Sequence, residues 1–597
     1  MNDALFAASP LESVYDVPLL QAVHRYDDMT KALLALGFRA HDIRLVTDYQ
    51  KTAAIGPSEA IQEVGAGTGE DIARAHALMT DLPYLPREAA LPLVLDGARP
   101  FAPEIGDDVQ PEFCPIAVRA REDAYDVLYA ITGPAQVAMV RNFVFARMVD
   151  GKKIHAQCCL ASRLVVERLY RRGIRDTARD FDEALALPAE AGRHRLALKA
   201  LIMHACYQGA SDIHFDPLPS AGVIRLRVDG LLTVFRVVKR DAINADAEDS
   251  VFDRLITLVS QDIKQKDSRG QAEGALDTEV PPALAGKYQF RVEIMATVNG
   301  PGGCIRILDR TGDTADFAQL GLDPETAAQL LQYAQASSGM IIATGPTGSG
   351  KTTLINSLMR TIDSVSTSVQ TIENPVEVRM GTWRQHETRR LTGHEDESKE
   401  WMSWFRGMLR NDPDVVLLGE VRDADVARVA FDMANTGHLV FTTLHARSAP
   451  LACARLREMR SPKTGEGLDM DAAAALLLCI IAIRLVRRLC SHCRILDDRP
   501  HTRETLIRGL GAADTPTYRA GPGCLRCGQV GFRGRIMIYE ILPMTPEVRT
   551  AISERASTRV VAGFLPPQKT LWASGLRRVA AGITSLDEVA RVVNEDD

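Results

Sequence analysis

The sequence predicts a multidomain α/β protein, and three observations carry that prediction. Its 597 residues are too many for one hydrophobic core and fit roughly three to five domains. From Met340 onward, apolar strand patterns alternate with helical patterns, as in a parallel sheet covered by helices on both faces. A glycine-rich segment, 345–352, joins one of these strands to a helix.

Composition excludes several classes of protein. A net charge of −7 and a pI near 6.1 argue against nucleic acid as the main partner, because phosphate binding needs a clustered basic surface. The longest apolar run, from Ala472 to Ile483, is shorter than the roughly 20 residues that cross a bilayer, and we interpret it as a buried helix. The N-terminus lacks the basic and apolar pattern of a secretory signal, so a cytoplasmic location is expected.

The first half of the chain divides by pattern into three parts. Residues 1–110 hold short helical patterns and end in a proline-rich linker, and their role is unknown. Residues 111–190 are predicted to form a small α/β module, with a strand in AYDVLYAIT followed by a helix that begins at a proline.

A further domain is expected at 191–312. It opens with a helix that ends at Gly209, followed by SDIHFDP and by a hairpin that turns at Asp229 and Gly230. A second strand pair is predicted to turn between Asn299 and Gly303.

The third region, 313–597, carries the motif with the least ambiguous chemistry. GPTGSGKTT follows an apolar strand and precedes a helix, which is the context that a G-x-x-x-x-G-K-[ST] phosphate loop requires. Glycines let successive N–H groups turn toward phosphate oxygens, Lys351 reaches the β- and γ-phosphates, and the Thr352 hydroxyl holds Mg²⁺. The candidate nucleotide-binding residues are Gly345, Pro346, Thr347, Gly348, Ser349, Gly350, Lys351, Thr352 and Thr353.

Hydrolysis also needs acids at the ends of neighbouring strands. Glu420 follows the apolar run VVLL in the position of an acid that binds Mg²⁺, with Asp414 before the strand and Asp423 after the glutamate. Glu373 and Glu377 follow another strand, where a carboxylate can orient or deprotonate the attacking water. For each acid, the alternative is a solvated carboxylate beside a loop.

Two histidines, His438 and His445, stand at the two ends of the short strand in GHLVFTTLH. A neutral imidazole beside a γ-phosphate can respond to hydrolysis through its hydrogen bond. Two core histidines that neighbours satisfy are the alternative.

Two cysteine pairs, Cys490 with Cys493 and Cys524 with Cys527, lie in a predicted insertion at 488–535. Four thiolates in two such pairs suit a structural Zn²⁺ with no open coordination position. A redox pair of the C-x-x-C kind is the alternative, although two pairs in one chain favour metal.

Together these motifs resemble the secretion ATPases of type II secretion and type IV pilus assembly. The family's four boxes appear in order, as GPTGSGKTT, TIENPVE, DPDVVLLGEVRD and TGHLVFTTLH, and the match covers about 195–595. The resemblance implies a RecA-like P-loop NTPase domain at 313–597, preceded by a smaller PAS-like α/β domain that contains ASDIHFDP and RLRVDG.

The resemblance also implies roles for single residues. Glu373 corresponds to the catalytic acid, Glu420 to the magnesium-associated acid, and His438 and His445 to nucleotide-state sensors. Arg291 and Arg306 are similar to arginines that reach phosphates across domains or subunits, with exposed strand charges as the alternative. One departure from the family is Asn374, which stands where Asp is usual.

The function expected from this resemblance is a homo-hexameric ATPase that powers pilus assembly or type II secretion. Its cofactors are ATP, Mg²⁺ and structural Zn²⁺. Its expected partners are an inner-membrane platform protein and an associated adaptor, which place it in the cytoplasm and peripherally on the inner membrane, without nucleic acid.

Other functions stay open from the sequence. One is a pilus retraction or conjugation-linked ATPase of the same family. From another class comes a RecA-like nucleic-acid motor, because helical spacing puts Arg484, Arg487 and Arg488 on one face. Asn374 suggests a third possibility, a degenerate ATP-binding scaffold.

Overall fold

A computed structural model gives the arrangement of most of the chain. The residues it describes are 6–9, 19–90, 95, 98–103, 111–145, 147–170, 177–188, 192–240, 250–261, 272–276, 279–310, 317–388, 404–405, 407–462, 464–511, 516–524, 527 and 529–594.

The chain divides into two compact units, residues 1–312 and 313–597. Each unit has its own sheets and its own apolar cores, and both mix helices with strands. The predicted multidomain α/β class is therefore confirmed.

The first unit contains helices of 4 to 15 residues and two sheets of four or more strands. Its α-helices are Met29–Ala35, Ala40–Ala53, Pro57–Val64, Gly69–Met79, Arg87–Ala90, Gln136–Phe145, Arg163–Leu169, Thr177–Ala186, Arg193–Tyr207 and Val251–Gln261. Its strands are β1 (Phe6–Ala8), β2 (Leu20–Ala22), β3 (Phe113–Ala120), β4 (Ala124–Ile131), β5 (Met148–Val149), β6 (Lys152–Leu160), β7 (Ala210–Pro217), β8 (Ala221–Val228), β9 (Leu231–Lys239), β10 (Ala272–Ala275), β11 (Tyr288–Thr297) and β12 (Gly300–Asp309).

A four-stranded sheet in the order β3-β4-β6-β5 lies in the early part of this unit. One apolar cluster combines Ala73, Tyr84 and Phe101 with Phe113 and Val127 from this sheet. Residues from both sides of position 110 therefore pack in one core. The strand in AYDVLYAIT and the helix after it are confirmed as β4 and Gln136–Phe145.

The second sheet of this unit has six strands in the order β10-β11-β12-β7-β8-β9, and every pair is antiparallel. The predicted hairpin is confirmed, since Asp229 and Gly230 both have positive φ between β8 and β9. The next turn was predicted too late in the chain. Thr297 already pairs with Gly300, so Val298 and Asn299 form the turn and the glycines after them belong to β12.

The second unit is built around one seven-stranded sheet. Its strands are β13 (Gly339–Thr344), β14 (Val369–Glu373), β15 (Arg384–Glu387), β16 (Val415–Leu418), β17 (Leu439–Leu444), β18 (Leu477–Leu489) and β21 (Phe532–Pro543), with the short pair β19 (Ile495–Leu496) and β20 (Tyr518–Arg519) beside it. Its α-helices are Pro324–Ala334, Lys351–Met359, Ala424–Asn435, Ala449–Glu458, Met470–Leu476, Pro500–Leu510, Pro546–Ser553, Thr558–Ala562, Leu571–Ala580 and Leu586–Val592.

The strand order of this sheet is β15-β14-β16-β17-β13-β18-β21. All pairs are parallel except β18 with β21, so the predicted parallel sheet is confirmed. Alternate residues of β13 enter different apolar clusters, Ile341 one and Ile342 the other. Both faces of the sheet are thus covered, and the carboxyl ends of β13, β14, β16 and β17 meet at one edge.

The apolar run from Ala472 to Ile483 is not one buried helix as predicted. It ends the helix Met470–Leu476 and then enters β18, a strand of 13 residues between β13 and β21. A strand with both faces buried has the same unbroken apolar pattern as a buried helix, which explains the error. The β-branched residues Ile480, Ile481 and Ile483 fit the pleated strand.

The same strand overturns the predicted helical face of arginines. Alternate side chains of a strand point to opposite faces, so Arg487 lies on the face opposite to Arg484, and Arg488 is an exposed residue at a register shift of the strand. Arg484 is buried and donates to the backbone oxygens of Ile483 and Arg447, at 2.8 and 2.5 Å. Arg487 pairs with the buried Glu588 at 2.5 Å.

None of the helices in the described part of the chain combines the length and the apolar character that a bilayer crossing requires.

Candidate functional site

The glycine-rich segment forms a tight loop between β13 and the helix Lys351–Met359. Gly348 and Gly350 have φ of 75° and 93°, in the left-handed region that favours glycine. A Cβ on Gly345 would lie 2.7 Å from the carbonyl oxygen of Ile483 in β18. The loop therefore favours glycine at 348 and 350 for the backbone conformation and at 345 for the close approach to β18.

The loop presents hydrogen-bond donors without protein partners, which suit an anion. The first N–H groups of the helix have no partner within the helix, and the helix dipole makes this end positive. Ser349 is 4% exposed, and its hydroxyl oxygen is a buried polar atom without a hydrogen-bond partner. A buried unpaired hydroxyl beside free amides at a helix start fits phosphate oxygens.

Lys351 folds back over this loop. Its Nζ donates to the carbonyl oxygens of Gly345 at 2.8 Å and Pro346 at 3.0 Å. Burial lowers the pKa of Lys351, while the charges of Glu420 and Glu377 raise it. The ammonium group is thus hydrogen-bonded to carbonyl oxygens of the loop, and the charges of Glu420 and Glu377 act on it.

Glu420 lies just beyond β16, at the carboxyl edge of the sheet. One carboxylate oxygen is 3.3 Å from Nε2 of His445 and the other is 3.2 Å from Nε of Arg422. The residue before it is fixed, since Gly419 donates to the Ile372 oxygen and accepts from the Thr443 hydroxyl. The backbone just before Glu420 is therefore fixed between β14 and β17, and the side chain of Glu420 is 27% exposed.

His445 follows β17 at the same edge and joins Glu420 to the loop. Burial and the charge of Lys351 lower its pKa, whereas Glu420 and a backbone hydrogen bond to Gly345 raise it. The hydroxyl of Thr344 fixes the segment that follows His445, because it accepts a hydrogen bond from the Ala446 N–H at 2.9 Å. The histidine is thus placed at the first glycine of the loop.

Glu373 ends β14 and is 4% exposed. Burial raises its pKa to about 7, and hydrogen bonds from Thr371 and Gln385 oppose that shift. Both donors bond the same oxygen, Oε1, at 2.8 Å from the Thr371 hydroxyl and 3.3 Å from Nε2 of Gln385. A carboxylate with a pKa near 7 can take a proton at neutral pH, which is what a general base requires.

Glu377 lies in the segment after β14, and its charge acts on both Lys351 and Glu373. The structure therefore brings Lys351, Glu377, Glu373, Glu420 and His445 to one edge of the sheet.

His438 does not belong to this group. It precedes β17, whereas His445 follows that strand, so the strand length separates them by about 20 Å. Its Nδ1 lies 2.9 Å from the Met433 oxygen and 3.1 Å from the Thr436 hydroxyl. The structure therefore does not bring His438 to the edge that holds Lys351 and Glu420, and the sensor role expected for it stays a prediction.

The two aspartates near Glu420 in the sequence accept hydrogen bonds from backbone N–H groups. Asp414 precedes β16 and accepts from the Ser368 N–H at 2.7 Å, at the opposite edge of the sheet. Asp423 is the N-cap of the helix Ala424–Asn435 and accepts from the N–H groups of Asp425 and Val426.

Arg291 and Arg306 face each other on β11 and β12 of the first unit. Nε of Arg306 donates to Asp212 at 3.0 Å, and its side chain is 57% exposed. Their predicted contact with phosphate stays a prediction.

The four cysteines converge as predicted. Sulfur atoms of Cys490 and Cys524 are 3.7 Å apart, as are those of Cys493 and Cys527, and Cys524 and Cys527 are 3.8 Å apart. A tetrahedron with Zn–S bonds of about 2.3 Å has sulfurs separated by about 3.8 Å. The four thiols therefore fit a zinc ion without rearrangement.

The chemistry of the cluster also favours a cation. Burial raises the pKa of Cys527, but N–H groups of Cys524 and Gly531 and the thiol of Cys493 lower it to about 6. Burial and the three neighbouring thiols raise the pKa of Cys493 to about 12. Four thiols this close cannot all ionise unless a cation shares their charge.

Three site residues were not foreseen from the sequence. Thr371 had a signal, because a residue two before Glu373 on a strand shares its face. Gln385 and Thr344 had none, since their partners lie 12 and 102 residues away along the chain.

Comparison with known proteins gives one family. Residues 190–591 match type II/IV secretion system proteins. The type IV pilus assembly ATPase TfpB of Acinetobacter baylyi is 32% identical over 396 residues, 66% of this chain and 64% of that protein. The protein transport protein HofB homolog of Escherichia coli K12 is 32% identical over 400 residues, 66% of this chain and 80% of that protein.

The match thus spans less than two thirds of TfpB. Among solved structures, the pilus retraction motor PilT with bound ADP is 23% identical, with a TM-score of 0.44 over 66% of this chain and 96% of that one. A TM-score of this size leaves the likeness as an observation only.

Proposed function

We propose that this chain, which belongs to the type II/IV secretion system protein family, hydrolyses ATP and drives type IV pilus assembly or type II secretion. One observation carries the ATPase part. Four neighbouring parallel strands end at one edge of the sheet, where Glu373, Glu420 and His445 stand at the ends of three of them and the phosphate loop follows the fourth. That is where open α/β sheets bind nucleotides.

The proposed reaction uses the geometry of this edge. The N–H groups of 348–353 and the Ser349 hydroxyl donate to phosphate oxygens. The Lys351 ammonium group moves from the loop carbonyls to contact the same oxygens. Glu373 takes a proton from water as the water oxygen bonds the γ-phosphorus and the bond to the β-phosphate oxygen breaks, releasing ADP and phosphate. Burial keeps Glu373 basic enough for this step.

Thr352 and Glu420 are the residues that would hold Mg²⁺. Both offer oxygen ligands, the donor type that this ion prefers. Bound there, the ion shields phosphate charge and lowers the barrier to attack by water. His445, which touches Glu420 and the loop, is placed to respond to the γ-phosphate. Arg291 and Arg306 remain predicted phosphate contacts.

The finer architecture is part of the same proposal. The second unit is RecA-like, and the six-stranded sheet of the first unit belongs to a PAS-like domain at 191–312. The remaining proposed divisions are 1–110, 111–190 and 313–597, with a zinc-binding insertion at 488–535. The sulfur geometry supports zinc as its metal.

The proposed assembly is a homo-hexamer in the cytoplasm, peripherally bound at the inner membrane to a platform protein and its adaptor. The name of the relative TfpB supports pilus assembly as the process. Chemical cross-linking and purification of the intact chain from membranes, with identification of co-purified proteins, test this part.

A nucleic-acid motor is the weaker alternative. Of the three arginines on which it depended, Arg484 donates to backbone oxygens and Arg487 pairs with Glu588, so they do not form a shared exposed face with Arg488. ATP turnover that rises with added DNA and falls steeply with salt would favour it over the secretion role.

The activity is tested by ATP hydrolysis of the full chain and three variants. Lys351→Ala and Glu420→Gln are expected to lower kcat on the order of 100-fold or more, because each removes a charge that the reaction uses. Glu325→Gln is the control, since Glu325 is 77% exposed and pairs only with Lys569 among the ion pairs of the described residues. Equal rates in all four proteins would contradict the proposal and leave an ATP-binding scaffold.

A further inference from the structure

Gln385 links two parts of the proposed active site through one carboxamide. It lies on β15, directly opposite Thr371 of β14. Nε2 donates to Glu373 Oε1 at 3.3 Å and to the Val378 carbonyl at 2.8 Å, and Oε1 accepts from the Met380 N–H at 2.7 Å. A glutamine amide has two donors and one acceptor oxygen, so each of these groups is engaged.

The segment 374–380 is thereby held at its far end. Val378 and Met380 are 7% and 4% exposed and pack in the apolar core beneath the sheet. Glu377 lies just before this anchored end, and its charge reaches both Lys351 and Glu373. A single side chain thus touches one acid directly and fixes the backbone beside the other.

The two carboxylate oxygens of Glu373 accept different numbers of hydrogen bonds. Thr371 and Gln385 both donate to Oε1. Among the residues that the structure describes, none donates a hydrogen bond to Oε2. Oε2 is therefore the oxygen available to a water molecule.

We infer that Gln385 is a positioning residue for ATP hydrolysis, which turns Oε1 of Glu373 inward, leaves Oε2 to accept the proton of water, and keeps the segment that bears Glu377 in place. This inference rests on the proposed function, because it needs Glu373 as the base. Gln385 itself touches neither nucleotide nor water in this reaction.

Electrostatics give the inference a distinctive signature. Glu377 from the adjoining segment and Glu387 from β15 both face Glu373 with like charge, and both add to the effect of burial. Hydrogen bonds from Thr371 and Gln385 are the opposing influences. Loss of the Gln385 donor would move the ionisation of Glu373 to higher pH, whereas a general loosening of the fold would not.

The test is the pH dependence of kcat for the full chain and two variants. Gln385→Met keeps the length of the side chain without its hydrogen bonds, and we expect the acid limb to move up by roughly one pH unit. Gln385→Glu still accepts from Met380 but places a second carboxylate beside Glu373, and it should move the limb further. KM for ATP should change less than about twofold, because the phosphate loop is untouched.

Gln370→Met is the matched control. Gln370 is a fully buried glutamine on β14 that bonds the Asn411 oxygen and the Ser368 hydroxyl instead of Glu373. Its loss should lower stability and leave the acid limb in place. A limb that stays at the wild-type pH in both Gln385 variants, or moves equally in Gln370→Met, overturns the inference.

Failure of the inference and failure of the proposed function look different. If Lys351→Ala and Glu373→Gln hydrolyse ATP as the wild type does, the proposed function fails. If both variants are inactive while the Gln385 variants keep the wild-type pH profile, only the positioning role is lost. Thermal unfolding of each variant at the assay pH identifies any protein that does not fold, and Gln385→Glu then carries the test.

Discussion

Two buried carboxylates of the second unit, Glu373 and Glu588, have opposite surroundings. Glu373, at the proposed catalytic edge, has neutral donors and two like charges near it, and its pKa rises to about 7. Glu588 is 1% exposed, and although burial raises its pKa, hydrogen bonds from Arg591 and Arg487 lower it to about 2. A buried acid without a cationic partner is typical of a functional site, and a buried acid with two cationic partners is typical of a structural contact.

The same contrast separates the regions around them. At the proposed catalytic edge the Ser349 hydroxyl has no partner and Lys351 rests on carbonyls. Near the C-terminus, Glu588 joins the helix Leu586–Val592 to β18, and four cysteines close on one point. Hydrogen-bonding groups without partners in one region and a carboxylate paired with two arginines in the other predict different responses to substitution and pH.

The largest expected effect on stability comes from the cysteine cluster. Cys490→Ser and Cys524→Ser should each abolish the binding of about one zinc per chain and lower the free energy of unfolding by more than about 3 kcal/mol. Elemental analysis and denaturant titration measure both quantities. Cys453→Ser is the control, because Cys453 is a buried cysteine outside the cluster. Metal retained by both cluster variants would place the ligands elsewhere.

Glu588→Gln should have the next largest effect. It removes the partner of Arg487 and Arg591, and since Arg591 is 52% exposed and water can replace part of its interaction, we expect a loss of about 2 to 3 kcal/mol at pH 7. The folded-state pKa lies below the unfolded value, so this contribution is present above about pH 4.5 and is lost as pH falls toward 2. Equal stability of the two proteins at pH 7 would show that the pairs contribute nothing.

Glu373→Gln should change stability in the opposite direction. The folded-state pKa lies above the unfolded value, so ionisation of Glu373 lowers the free energy of unfolding as pH rises from about 4.5 to 7. The variant cannot ionise, yet it can accept from both Thr371 and Gln385. It should therefore be more stable than wild type by up to about 3 kcal/mol at pH 8 and equal to it near pH 4.5.

Its activity should fall at the same time. Loss of a general base lowers kcat by about 100- to 10,000-fold. A Glu373→Gln protein that is both more stable and inactive would identify Glu373 as a catalytic acid. Glu588→Gln should instead be less stable, because Glu588 is a structural acid whose side chain takes no part in the reaction. Chemical denaturation at pH 4.5 and 8, with ATP hydrolysis at pH 8, makes the comparison. A less stable Glu373→Gln at pH 8 would contradict it.

The sequence predicted the parts of this picture that lie close together along the chain. The phosphate loop, the acids after β14 and β16 and both cysteine pairs have short-range patterns that fix the residue and its neighbourhood. Ala472–Ile483 failed because burial on both faces erases the difference between a strand and a helix. The sequence already placed His438 and His445 at the two ends of one strand, and β17 keeps them apart in the structure.

The surroundings of a charge were also beyond the sequence. Nothing in the residues near Glu588 indicates Arg487, which is 101 positions away, and nothing near Glu373 indicates Gln385. Whether a buried acid is paired depends on such distant contacts, and the pairing decides its pKa. The motif therefore identifies the acid, whereas the fold determines its chemistry.

The smallest expected effect tests how finely the catalytic acid is balanced. Thr371→Val removes the shorter hydrogen bond to Glu373 Oε1 and nearly preserves side-chain volume, so the pKa of Glu373 should rise further above its usual range. Because the lost bond stabilises the ionised form, the free energy of unfolding should fall by about 1 kcal/mol at pH 8 and by less near pH 5. Thr371→Ser keeps the hydroxyl and should follow the wild type at both values. If the two variants unfold alike at pH 8, the hydroxyl of Thr371 contributes nothing measurable, and the balance at Glu373 then depends on burial and Gln385 alone.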